Sequence, residues 1–163
     1  MKINAILSLA LSVVILLFSG CNKSDDGSPQ SGGGEKILKM KINGELWEAT
    51  KNVTASAAFL NDSGDGIIIS GRTENGAFFQ ITTGREITGP GTYNVPGTKG
   101  GGLQFDNGEG KTYVEKSLTV TIKKIHEVGK SKYVEGTFEG TAENVIDETD
   151  VITITEGVFD GVE

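Results

Sequence analysis

The sequence predicts an all-β protein, an antiparallel β-sandwich of about nine strands, and three observations carry that expectation. From Ile37 onward no stretch holds an apolar i, i+3, i+4, i+7 pattern over three turns, whereas segments alternating apolar and polar with period two recur. Twenty-four glycines stand against three prolines, a composition of many turns between short strands. Turn signals return about every 8–12 residues, the spacing of sandwiches and closed barrels. A closed or partly open, lipocalin-like barrel is the alternative. The Gly84–Gly102 stretch, with seven glycines and two of the three prolines, reads as a crossing between two sheets and favours the sandwich.

The elements follow in order. Leu38, Met40 and Ile42 alternate with Lys39 and Lys41, and Asn43-Gly44 follows. That dipeptide is the strongest short hairpin signal, because both central turn positions require positive φ. Glu45–Thr50 returns with Trp47 on one face. Val53, Ala55, Ala57 and Phe59 share a face, Asn61–Gly66 turns, Gly66–Arg72 carries three isoleucines, and Glu74-Asn75-Gly76 turns into Ala77–Thr83. These segments read as one meander of paired strands. A short strand is expected at Thr92–Val95 inside the long loop, then a hairpin of Leu103–Asp106 and Lys111–Glu115 across Asn107-Gly108-Glu109-Gly110.

The last third is the most regular. Leu118, Val120 and Ile122 face inward, Gly129-Lys130-Ser131-Lys132 turns the chain, and Val134, Gly136, Phe138, Gly140 and Ala142 then share one face. A final strand runs from Val151 to about Val162. In it Ile152 and Ile154 have even parity and Phe159 odd, so both sets reach the core only if a β-bulge near Glu156-Gly157 resets the face. The words Gly136-Thr-Phe-Glu-Gly140 and Gly157-Val-Phe-Asp-Gly161 echo each other, as two neighbouring strands would if each set a phenylalanine between glycines.

Ahead of the domain, residues 1–20 read as an export signal. Met1-Lys2 is a short positive start, and Ala5–Phe18 is apolar apart from Ser8 and Ser12, shorter than the ~20 residues a bilayer span needs. Leu17-Phe18-Ser19-Gly20-Cys21 resembles a bacterial lipobox, with Phe18 where that family usually has leucine. The resemblance implies cleavage before Cys21, with diacylglycerol on its thiol and a fatty acid such as palmitate on its amine. Each buried methylene contributes about 0.8 kcal/mol, so two or three chains anchor durably where one does not. Asn22-Lys23-Ser24-Asp25-Asp26 resembles the export tag of Bacteroidota-type lipoproteins carried to the outer face of the outer membrane, with Lys23, Asp25 and Asp26 as its charged residues. Residues 21–35 end in Gly27–Gly34, which has no apolar residue to bury and reads as a flexible tether reaching roughly 20 Å. Residues 36–163 are the β domain.

Composition narrows the chemistry. The formal net charge of −7 disfavours nucleic acid and broad adhesion to anionic lipid heads. One cysteine forms no internal disulfide, and one histidine leaves little for a metal or cofactor site; none is expected. His126 adjoins Glu127, but adjacent strand residues point to opposite faces and make no direct dyad. No G-x-S-x-G motif occurs. Asn61–Gly66 has the oxygen ligands of a calcium loop, but Arg72 stands where the bidentate glutamate belongs. Asp106–Glu109 and the carboxylates of Asp147, Glu148 and Asp150 read as solvated turns. Gly84-Arg85-Glu86 and Gly100-Gly101-Gly102 lack the Lys-Ser/Thr pair and helix of a phosphate cradle. The Gly136–Phe138–Gly140 face leaves room either for large side chains opposite or for an apolar ligand. Trp47 is a sugar-stacking anchor if exposed and a core residue if not.

The chain as a whole resembles a family of small Bacteroidota-type surface lipoproteins of uncharacterised function. The resemblance lies in the leader, Met40-Lys-Ile-Asn-Gly-Glu-Leu-Trp47, Ile69-Ser-Gly-Arg72, Gly89-Pro-Gly-Thr-Tyr93, Gly136–Gly140 and Ile154–Phe159. It implies an all-β domain at the cell envelope and transfers no catalytic residue. The expectation is therefore a non-catalytic, membrane-anchored binding or interaction module whose partner is a glycan, a small apolar ligand or an envelope protein. A passive structural or assembly lipoprotein is second and an enzyme third. A pocket around Gly136, Phe138 and Gly140 favours ligand binding; a filled core with an exposed apolar edge favours assembly.

Overall fold

The period-two pattern is realised as ten strands in a computed structural model that describes residues 35–59, 65–83, 87–95 and 101–162. They are β1 (Ile37–Ile42), β2 (Glu45–Glu48), β3 (Lys51–Phe59), β4 (Asp65–Arg72), β5 (Phe78–Thr83), β6 (Gly91–Asn94), β7 (Gly102–Asp106), β8 (Thr112–Val128), β9 (Ser131–Asn144) and β10 (Val151–Asp160). The strand order is β2-β1-β10-β9-β3-β4-β5-β7-β8-β6, and β8 also pairs with β9. Strands β3, β4, β5, β7, β8 and β9 therefore close a ring. The joint between β3 and β9 is thin, resting on Ser56 opposite Tyr133 and Ala57 opposite Lys132. The described residues form one large antiparallel sheet of ten strands and no helix; it is not a clean barrel and fits the expected sandwich or a partly open barrel, with β10, β1 and β2 following β9 in the order.

Three local expectations hold in detail. Asn43 (φ 51°) and Gly44 (φ 88°) make the tight turn that joins β1 to β2. Leu118, Val120 and Ile122 are buried on β8. The bulge in β10 falls between Ile154 and Gly157: Ile154 lies opposite Gly140, and Gly157 opposite Phe138, so Thr155 and Glu156 together face Glu139. Its geometry has an unexpected author. The residue at positive φ is Glu156 (52°), and its carboxylate accepts from Lys41 Nζ at 2.7 Å. Ile152, Ile154 and Phe159 are all buried as a result.

Three features differ from the sequence reading. The expected meander breaks after β2. β1 takes β10 on its other side, while β3, with Asn52 (φ 54°) at an irregularity between Lys51 and Thr54, pairs with β4 and β9 and not with β2. Thr112–Glu115 and Leu118–Lys123 are parts of the single strand β8, where an irregularity between Glu115 and Ser117 brings odd Tyr113 and even Leu118 to the same face. The chain between β5 and β7 does not cross to a second sheet for good. β6 pairs with β8 at Thr119–Ile122, and the chain comes back as β7 beside β5.

Candidate functional site

Gly136 and Gly157 of the β9–β10 pair are covered by the protein's own aromatic rings. Phe159 on β10 lies opposite Gly136 on β9, and Phe138 on β9 opposite Gly157 on β10, so each ring covers a glycine of the neighbouring strand. A Cβ at Gly136 would meet the Phe159 ring at 2.6 Å and run into the Thr121 carbonyl oxygen; one at Gly157 would meet the Phe138 ring at 2.7 Å. The room on this face thus belongs to the protein's own aromatics, and the apolar-ligand alternative loses its space. Ring centroids run on across the core, Phe159 to Phe138 at 6.3 Å, Phe138 to Phe79 at 5.2 Å, Phe79 to Phe105 at 6.4 Å and Phe105 to Tyr113 at 6.0 Å, all within the range of favourable aromatic pairs.

That run ends at the surface. Beside the β1–β2 turn a groove of about 380 Å³ is walled by Trp47, Phe105, Tyr113 and Ile152, with Leu46 at its lip. Trp47 is half-buried and packs on Phe79 at 5.9 Å and edge-on to Phe105 at 6.2 Å, so it is a core residue with one face toward the groove. Its indole Nε1 is shielded from water and has no acceptor, a condition that costs about 1–3 kcal/mol. Asn43 and Asn107 also line the groove. Asn43 Oδ1 accepts from Thr153 N–H at 2.8 Å, and Asn107 Oδ1 accepts from the N–H groups of Glu109 and Lys111 at 2.9 and 3.0 Å. Both carboxamides therefore keep their N–H groups for other acceptors.

The same end of the sheet gathers exposed apolar side chains. Leu46 (69% exposed), Val145 (54%) and Ile146 (89%) lie in or beside its loops, and the partly exposed Val114 and Val151 flank Glu143 in one register row. The remaining large exposed apolar residue, among those described, is Val128 at the opposite end. This groove end is also the far end from Ile37, where the chain enters β1 opposite Asp160.

The acidic turns serve the backbone. Gly108 N–H donates to Asp106 Oδ1 at 2.8 Å. Asp147 Oδ1 accepts from Thr149 Oγ1 at 2.6 Å and from Thr149 N–H at 3.0 Å, and these bonds hold its carboxyl below the usual range. Asp150 Oδ2 accepts from Lys111 Nζ at 2.8 Å and from the Tyr113 hydroxyl at 3.1 Å. The lysine bond, then the tyrosine one, lowers the Asp150 carboxyl, and the same contact raises the Lys111 ammonium. His126 meets Glu135 on β9 at 3.4 Å rather than Glu127, which faces Lys132 at 3.8 Å. Among the described residues no three His, Cys, Asp or Glu side chains are grouped to hold a metal ion.

Cys21, Lys23, Asp25 and Asp26 lie outside the described residues, as do Asn61–Gly64 and Gly84–Glu86. The sequence singled out Trp47 and the Gly136 face but not the groove. Asn43, Leu46, Phe105, Tyr113 and Ile152 come from three hairpins, β1–β2, β7–β8 and β9–β10, and no local spacing joins them.

These features define an antiparallel all-β domain with a filled aromatic core and one open aromatic groove. A family model described as "Domain of unknown function (DUF6252)" matches residues 34–163, and the chain belongs to that family. No curated protein and no solved structure matches it.

Proposed function

We propose that the chain is an envelope lipoprotein, held by lipid on Cys21 at the outer membrane and exposed at the cell surface, whose β domain is a non-catalytic interaction module acting through its outer surface. One observation carries the mode of action: the interior is occupied by the interlocked Phe138 and Phe159. With Phe159 seated against Gly136, recognition falls to the outer surface, where the open aromatic groove and the exposed apolar residues share one end of the sheet. The Leu17–Cys21 pattern supports the anchor, and the Lys23–Asp26 run supports the surface address. The groove lies at the end of the sheet opposite Ile37, the first residue of β1.

Metabolic labelling with a radioactive fatty acid tests the anchor. Label is expected on the chain and is lost in Cys21→Ser; an unlabelled chain, or label that survives the substitution, rejects it. Thermal shift of the chain against glycans, fatty acids and basic peptides tests the module, since a ligand that binds only the native state raises its stability. A shift is expected with a surface-binding class. Fatty acids alone raising the melting temperature would reject action through the surface. A passive assembly role is the second reading, favoured by Leu46, Val145 and Ile146. It predicts no shift with any soluble class.

A further inference from the structure

The groove has an open strand beside it. β2 ends the strand order and pairs with β1 alone among the described strands. The Ala49 N–H to Leu38 carbonyl bond at 2.9 Å sets the ladder phase, so Trp47 and Glu45 turn their main-chain groups toward β1. Leu46 and Glu48, alternating with them, turn theirs to the free edge. An incoming strand would find N–H and C=O groups there, with the aromatic groove under its alternate side chains.

Charge selects the occupant. Glu45 on β2 and Glu109, Asp147 and Glu148 in the neighbouring loops are exposed around this end, and Lys111 is already held by Asp150. Lys39 stands across from Glu48 on β1, so the uncompensated charge gathers toward the turn end. A second copy is disfavoured, because it sets this acidic end, with exposed Glu45, Glu109, Asp147 and Glu148, against the same charges. Anionic lipid and nucleic acid meet the same repulsion.

We infer that the β2 edge and the Trp47–Phe105–Tyr113 groove receive an extended segment of a partner protein in which apolar and basic residues alternate. The apolar side chains enter the groove, and the lysines or arginines meet the acidic loops. This rests on the reading of the domain as an interaction module and names its partner's chemistry.

Trp47, the chain's single tryptophan, reports on the groove. The full chain in vesicles of neutral phosphatidylcholine is titrated with a short capped peptide of alternating lysine and valine, following Trp47 emission. A saturable change is expected, weakened severalfold by added salt and absent with the glutamate–valine counterpart. Leu46→Pro removes an edge N–H without touching the bonds to β1 and is expected to weaken binding about tenfold or more. Glu45→Lys with Glu109→Lys, both exposed, weakens it without altering the melting temperature and covers the case in which the proline variant fails to fold. The inference is overturned by an unchanged emission with the lysine peptide, an equal response to the glutamate peptide, undiminished binding in the charge-reversed variant, or concentration-dependent self-association lost in Leu46→Pro. A response to neutral glycans alone overturns it too, while leaving the interaction module in place.

Discussion

The β9–β10 pair and the β1–β2 hairpin are adjacent through β10–β1, yet they use aromatic residues in opposite ways. In β9–β10 each phenylalanine is closed off by a glycine on the opposing strand, and Phe159 has no exposed surface at all. In the hairpin, Trp47 joins the same aromatic run but keeps a face on an open groove, and Leu46 beside it is exposed. The difference is one of steric partners. A glycine opposite a ring lets the backbone itself close the gap, whereas an edge strand has no neighbour to supply that closure. Stability should therefore concentrate in the interlock, and the tip should tolerate change.

Removing one ring should have the largest effect. Phe159→Ala is expected to destabilise the domain by about 3–5 kcal/mol in urea unfolding, because a fully buried ring leaves a cavity in a packed core. A loss no larger than that of a surface residue would break the comparison. Gly136→Ala should cost about 1–3 kcal/mol or more through overpacking against Phe159 and the Thr121 carbonyl. In the double variant the two losses should fall short of additive, since the added methyl gains space where the ring stood.

The tip's own fastening is electrostatic and should show in pH. Asp147 and Asp150 are held below the ordinary carboxylate value of about 3.9. Their contribution is present above that value and is lost as pH falls through their lowered folded values. Lys111 is raised, so its contribution is full below about 10.4 and is lost as pH climbs through its raised value. Asp150→Asn should flatten both limbs of a melting-temperature profile; a profile matching the parent's would separate the β9–β10 loop from the Lys111 contact. The smallest effect is expected at the exposed apolar residues. Leu46→Ser and Ile146→Ser should each stay within about 0.5 kcal/mol of the parent in the same urea assay. A larger loss would mean that the tip is packed like the core.

Much of the strand content was legible because it is written in neighbouring residues. Asn43-Gly44 announced its turn, and the parity conflict between Ile154 and Phe159 located a bulge before any partner strand was known. The phenylalanine–glycine echo also pointed to two neighbouring strands. The conformation within the bulge was less legible: positive φ falls on Glu156, while Gly157 is required by the Phe138 ring pressed against it. Of the candidate site, Trp47 could be picked out, but the groove could not. It joins β1, β2, β7, β8 and β10 at one end of the sheet, and a hydrophobic pattern says which face a residue takes, not which distant strand it meets.

The sequence by itself determined the all-β class, the turns and the inward faces, together with a lipobox-like leader, because each depends on dihedral preference and side-chain alternation within a few residues. Only the tertiary structure decided that β1 pairs with β10, that β8 and β9 close a ring, and that five exposed apolar side chains gather at the end remote from Ile37. Those outcomes turn on which of many similar strands become neighbours. Pairings between distant segments are selected by the packing of the whole sheet, as where Phe159 is seated on Gly136, and not by any local stretch of chain.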